Sequence, residues 1–366
     1  ADLTNTLVSG SSLVVAGTAL VTVSDDAFTT SSATIAATAL SDIGGKTSGT
    51  VTVTKAVKIT GSTADLTNTM VSGSSSVTAG TALVTVSDAA FASSSTAIAA
   101  TDLSNIGGKT TGAVTLANKV RLQGSQSEVA TALVGDSSVV ASKANTEARV
   151  TSVVNVNQGE EIAGVNNVQG IFASGLSDSL SSLASGGNST AKLNTITGDD
   201  GDVAITVSDS AFESSSATLT AADLIAVGGA TTGTVTVTNA IKISGNTTQL
   251  TNTLVSSSSS VTASSALVTV SDAAFTTSSA TIAATTLSDI GGKTSGTVTV
   301  TKAVKITGAT ADLTNTLVSG SSLVVAGTAL VTVSDDAFTT SSATIAATAL
   351  SDIGGKTSGT VTVTKA

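Results

Sequence analysis

Acidic residues recur in this chain at one fixed place, and any chemistry would have to start there. Asp25, Asp88, Asp272 and Asp335 each close a Val-Thr-Val-Ser-Asp stretch, and Asp209 closes Ile-Thr-Val-Ser-Asp. Carboxylates are the hard oxygen ligands that Ca²⁺ takes, so one such residue per repeat could form a ladder of calcium ligands. The competing reading is a turn or helix cap after a strand, a role Asp fills through its short side chain. The second reading is favoured, because only one acid is common to every repeat; Asp26 and Asp336 add another in just two. The densest acidic cluster is Gly198-Asp199-Asp200-Gly201-Asp202. Asp199, Asp200 and Asp202 are therefore the calcium candidates, set against a solvated turn.

Other reactive types are missing or uncombined. The chain has no His and no Cys, which removes the commonest general base, thiol chemistry, disulfides and Cys-ligated metals. Ser is abundant, yet without His or a Ser-x-x-Lys pairing it has no activating base. Gly44-Gly45-Lys46-Thr47 lacks the upstream glycine and spacing of a phosphate-binding loop, and Gly-Gly reads as a helix stop. Asn188-Ser189-Thr190 and Asn246-Thr247-Thr248 are glycosylation sequons. No enzyme is expected. Formal net charge is −10, and basic residues form no patch with aromatics beside them, which disfavours nucleic acid. No apolar run approaches the ~18 residues of a membrane span.

The elements that hold these residues repeat. Residues 1–56 and 311–366 are identical. Phe28, Phe91, Phe212, Phe275 and Phe338 mark the period, at intervals of 63, 121, 63 and 63. One aromatic per repeat among small residues reads as a core filler between layers. Within a repeat, Leu20–Ser24 alternates like a half-buried strand. Residues 33–43 carry Ile35, Ala36, Ala39, Leu40 and Ile43 at helical spacing. Thr50–Thr54 is the clearest strand. Val57–Gly61 follows it, either as a second strand after a corner or as the continuation of one bent strand. Thr63–Val71 offers a second short helix, and Val77 an extended link. The Thr-x-Thr rows suit ice binding in outline, but Ala113 and Ala117 break them and Thr is simply a good strand former.

Residues 134–203 depart from this rhythm, with Lys143, Glu147, Arg149, Glu160 and Glu161 in a denser charge set. Arg149–Thr151 and Val153–Val156 read as strands, Phe172–Leu183 as a helix with Phe172, Leu176, Leu180 and Leu183 on one stripe, and Gly186-Gly187-Asn188 as a loop. The organisation is thus 1–133 regular, 134–203 divergent and 204–366 regular. Strands alternating with short helices at this spacing imply parallel pairing through crossovers. The fold class expected is α/β or β-rich: a right-handed parallel solenoid of ~63-residue repeats, with an all-β solenoid as the alternative. Zero Pro suits uninterrupted ladders. Two coils per repeat would advance roughly 10 Å, three roughly 14 Å.

The Val-Thr-Val-Ser-Asp, Asp-Ile-Gly-Gly-Lys-Thr-Ser-Gly-Thr-Val-Thr-Val and Val-Lys-Ile-Thr-Gly stretches resemble repeats of giant bacterial cell-surface proteins. These include large surface and motility-associated proteins of marine cyanobacteria and S-layer or adhesin-like proteins. The acidic cluster at 198–202 also faintly resembles the Gly/Asp calcium loops of RTX proteins, without their tandem nonapeptides. The first resemblance implies an extracellular, elongated protein, possible calcium, and no catalytic residue. The expected function is a structural component of an extracellular filament, fibre or cell-surface layer that assembles with like chains. The alternative is an adhesin stalk whose divergent repeat binds a surface or carbohydrate. Any residue 367 should begin Val-Lys-Ile-Thr-Gly.

Overall fold

The computed structural model describes residues 2–9, 14–30, 34–92, 97–135, 146–213, 218–277, 281–337 and 344–364. Phe338 and Lys143 lie outside these residues. The chain forms two compact units, Ala1–Ser174 and Gly175–Ala366. The division falls inside the divergent segment.

In the first unit, Val21–Val23, Val51–Val53 and Val77–Thr78 form one sheet. Ile35–Ala36, Lys58–Gly61, Leu83–Val86 and Val114–Leu116 form a second, and Ile98–Ala99, Arg121–Gly124, Thr146–Val150 and Val168–Phe172 a third. In the second unit the longest sheet runs Leu219–Thr220, Lys242–Gly245, Leu267–Val270, Val298–Val300, Val324–Val325. Two four-stranded sheets accompany it. One is Leu176–Asp178, Ile205–Val207, Val235–Val237 and Val261–Thr262. The other is Ile282–Ala283, Lys305–Gly308, Leu330–Val333 and Val361–Val363. All these pairs are parallel. The hairpin Ala184–Ser185 with Asn188–Ser189 is antiparallel.

Parallel neighbours cannot be joined by a tight turn, so the chain must travel before it returns to a ladder. The register shows each return: Leu219 lies beside Ile243, Lys242 beside Leu267, Val268 beside Val298 and Val298 beside Val324. The returns carry the helices. Ala37–Gly44 and its counterparts Ala100–Gly107, Ala221–Ala230, Ala284–Gly291 and Ala347–Gly354 recur once per repeat. Thr63–Leu66 continues into a π-helical turn, Thr67–Val71, and so does its counterpart Thr310–Leu313 into Thr314–Val318. The architecture is therefore α/β with parallel sheets, and the all-β alternative does not hold. Weak helix propensity in these Thr-rich segments is overridden by capping and by burial of one face. Ser62 and Asp65 form a reciprocal capping box, as do Asn246 and Gln249.

The core is mainly aliphatic. Ile59, Leu66, Leu103, Ile106 and Leu122 are fully buried. Strands bury alternate residues, as Val51 and Val53 do while Thr52 faces outward. Val51–Val53 and Lys58–Gly61 lie in different sheets, so the corner reading holds over the single bent strand.

Several expectations are corrected. The helix expected over 33–43 spans Ala37–Gly44 and buries Ala37, Leu40, Ile43 and Gly44. Ile35 and Ala36 are instead drawn into a ladder beside Ile59 and Thr60. Val153–Val156 is not a strand, because Asn155 and Gln158 form a capping box that starts a helix at Val156. Phe172–Leu183 is not one helix. Phe172 ends a strand, Leu176 begins another, and only Leu180–Leu183 is helical. Gly175 breaks the run at φ +76, a conformation that favours glycine. The four residues of the expected stripe are all buried, but on three different elements. Helix Ala191–Asp199 was not foreseen; its signals are the Thr190 cap and the Leu193/Ile196 spacing.

Candidate functional site

The recurring Asp is a cap, but for a helix that precedes it in the chain. Asp88 Oδ2 accepts hydrogen bonds from the Thr63 N–H and hydroxyl, both at 2.7 Å. Asp272 does the same for Thr247, at 2.6 and 2.7 Å, and Asp335 for Thr310, at 2.8 and 2.7 Å. Asp209 accepts from the Leu180 N–H at 2.7 Å, so the divergent segment keeps the device. Placing a carboxylate at the open N–H groups of a helix start satisfies them and opposes the helix dipole. Each carboxylate thereby ties its own pass of the chain to the pass before it. The sequence points to a cap, yet the distant partner is visible only in the ladder. Asp25 caps no helix among the described residues.

A second tie explains Gly44-Gly45-Lys46-Thr47 and its repeats. Thr47 Oγ1 donates to the Ala19 carbonyl at 2.6 Å and accepts from the Gly49 N–H at 2.9 Å. Thr110, Thr231, Thr294 and Thr357 donate in the same way to Ala82, Val203, Ala266 and Ala329 at 2.6, 2.7, 2.6 and 2.6 Å. The glycine two positions on is obligatory by space. A Cβ on Gly49 would lie 2.3 Å from the Ala19 carbonyl oxygen, and one on Gly296 2.2 Å from that of Ala266. Gly44 serves close approach as well, its Cβ position lying 2.1 Å from the Ser75 carbonyl oxygen. The helix ends at Gly44 with Gly45 as its C-cap at φ −67, so the Gly-Gly stop holds without a left-handed residue.

Four of the recurring Phe residues are not core fillers. Phe28, Phe91, Phe212 and Phe275 are half-buried, and each ring lies under a cation from the next pass. Lys58, Lys242 and Lys305 place Nζ 5.1, 5.2 and 5.2 Å from the ring centres of Phe28, Phe212 and Phe275. Arg121 stacks 3.9 Å from Phe91 and also pairs with Glu147, at the entry to the divergent segment. Stacking on a partly desolvated cation holds the ring at the surface. A groove of about 380 Å³ runs beside Phe28 and Lys58, walled by Leu83, Thr85, Thr115 and Leu116.

Register also aligns the threonines. Thr22, Thr52 and Thr78 form one row and Thr206, Thr236 and Thr262 another, so motifs that looked isolated in sequence become neighbours.

The calcium candidates are not gathered. Asp199 ends a helix, Asp200 is its buried cap and Asp202 is exposed beyond it. Among the described residues no three acidic side chains form a group that could hold a metal ion. Asn246 spends its side-chain oxygen on the Gln249 N–H. Among the described residues no helix is long and apolar enough to cross a membrane. Two carboxyls are held below the usual carboxylate range: Asp26 by its hydrogen bond to Lys55, and Glu128 by the Ser125 N–H and hydroxyl.

The class defined is an α/β protein of repeated, cross-tied parallel strands. Comparison of the chain with protein-family models, curated proteins and solved structures finds no match.

Proposed function

We propose that the chain is a structural element of an extracellular filament, fibre or surface layer, in which ~63-residue repeats stack as a parallel solenoid and like chains associate. The observation that carries this reading is the threonine tie. The same hydroxyl-to-carbonyl bond, at the same sequence separation, recurs at Thr47, Thr110, Thr231, Thr294 and Thr357. A device copied at every regular repeat serves the array rather than one site, and it couples neighbouring passes without reference to any ligand. The mechanism is mechanical: each pass buries its apolar residues on the passes beside it, so order propagates along the ladder.

The ladder gives a rise. Four steps lead from Leu219 to Val324, so one repeat covers a little over two steps. At ~4.8 Å per step the repeat would advance about 12 Å. Electron microscopy of the purified chain tests the reading. Uniform fibres with an axial period near that rise support it, and compact monomers at every concentration refute it.

A further inference from the structure

Apart from the ties between passes, one set of polar side chains stands together without a hydrogen bond or ion pair of its own. The groove of about 380 Å³ beside Phe28 is lined by Lys58, Leu83, Thr85 and Thr115, all half-buried. Register gathers them. Lys58 lies beside Leu83 and Thr85 beside Thr115, while Val84, Val86 and Val114 turn into the core. The Phe28 ring lies under the Lys58 cation, and its own N–H donates to the Ala56 carbonyl at 2.9 Å. In the second unit Phe212, Lys242, Leu267, Thr269 and Thr299 rebuild the set at the same register. Phe275, Lys305 and Leu330 repeat it in part, with Thr332 buried.

Among the described residues no carboxylate pairs with Lys58, Lys242 or Lys305. The side-chain hydroxyls of Thr85, Thr115, Thr269 and Thr299 likewise make no hydrogen bond there. The divergent segment supplies the contrast. Glu147 takes, beside Arg121, the register position that Leu83 takes beside Lys58, and it neutralises the cation. In the regular repeats an apolar residue stands there and the ammonium keeps its charge uncompensated.

We propose that these grooves bind the acidic sugar units of an anionic polysaccharide. The carboxylate of a hexuronate answers a half-desolvated ammonium, where a charged hydrogen bond is stronger than in open water. Sugar hydroxyls both donate and accept, as the paired threonine hydroxyls do. The C–H side of a pyranose ring suits the Phe surface, because its positive hydrogens meet the electron-rich ring. The groove volume lies within the range of small-molecule sites. A formal net charge of −10 opposes indiscriminate attraction of polyanions, so binding has to come from local groups. Each full set of five residues belongs to one chain, and the site needs no assembly.

Affinity electrophoresis of the full chain through gels containing polygalacturonate tests the site, with dextran as the neutral control and polyglutamate as the control without sugar. Retardation by polygalacturonate alone is expected. Lys58→Gln, Lys242→Gln and Lys305→Gln combined should weaken it about ten-fold with an unchanged circular dichroism spectrum. Thr85→Val and Thr269→Val keep a β-branched strand residue and remove one hydroxyl from each full groove; together they should weaken it about five-fold. If the lysine variant loses its fold, the threonine variant decides. Absence of retardation, equal retardation in dextran, or retardation that survives the lysine substitutions overturns the proposal. Equal retardation by polyglutamate, or binding that the threonine substitutions leave unchanged, overturns the sugar and leaves charge attraction alone.

Discussion

The same glycine of the repeat meets different space at different copies. A Cβ on Gly291, as on Gly44, would meet a backbone carbonyl, at 2.0 Å from Ser322 oxygen, while the space around Gly354 is open. Gly354 ends a helix at a conformation alanine also adopts. Gly291→Ala should therefore cost more than about 2 kcal/mol, and Gly354→Ala should be neutral or stabilise by up to about 1 kcal/mol. Urea denaturation of the two variants measures the contrast, and equal effects would contradict it. Thr294 joins the Ala266 carbonyl and the Gly296 N–H in a buried setting. Thr294→Val leaves both groups without that partner and should lower stability by about 1–3 kcal/mol in the same assay. The threonine and glycine were both readable as a motif. Their partners were not, because Ala266 sits on the preceding pass and Ser322 on the following one.

Helix ends are where the elements depend on one another. Asp272 caps a helix that starts one pass earlier, at Thr247. Asp272→Ala should cost about 1 kcal/mol and speed amide exchange at Thr247, before any change at the strand Leu267–Val270 that precedes residue 272. Glu128 shows the electrostatic side. Its carboxyl accepts from the Ser125 N–H at 2.7 Å and hydroxyl at 2.9 Å, which lowers its proton affinity in the folded state. A depressed carboxyl stabilises the fold above its ordinary pKa, and that contribution is lost as pH falls through the folded value. Glu128→Gln should accordingly flatten the acid limb of the stability profile in denaturation series run from neutral pH downward. Strand and helix types followed from alternation and capping residues. Boundaries shifted where ladder pairing took Ile35 and Ala36 out of an expected helix, and where Gly175 divided an apparent stripe.

Across the whole molecule, apolar residues of one repeat find cover only on the passes beside it. If copies join as proposed, association favours the folded state by mass action. The melting temperature should then rise with chain concentration in calorimetry. A melting temperature independent of concentration would count against assembly.

The period and the parallel pairing were legible from local pattern, and the recurring Asp read as a turn or cap residue, because alternation, helical spacing and side-chain reach act over short stretches; the all-β alternative stayed open until the helices were seen. Tertiary structure alone decided which pass Asp88, Asp272, Asp335 and the tie threonines would bind, why Gly49, Gly291 and Gly296 could not be larger, and that Phe28, Phe91, Phe212 and Phe275 sit under cations instead of in the core. Those outcomes depend on parallel register, which brings side chains of successive passes within bonding distance. The acids at 199, 200 and 202, close in sequence, were separated by a helix end for the converse reason: nearness along the chain does not set the direction of side chains in space.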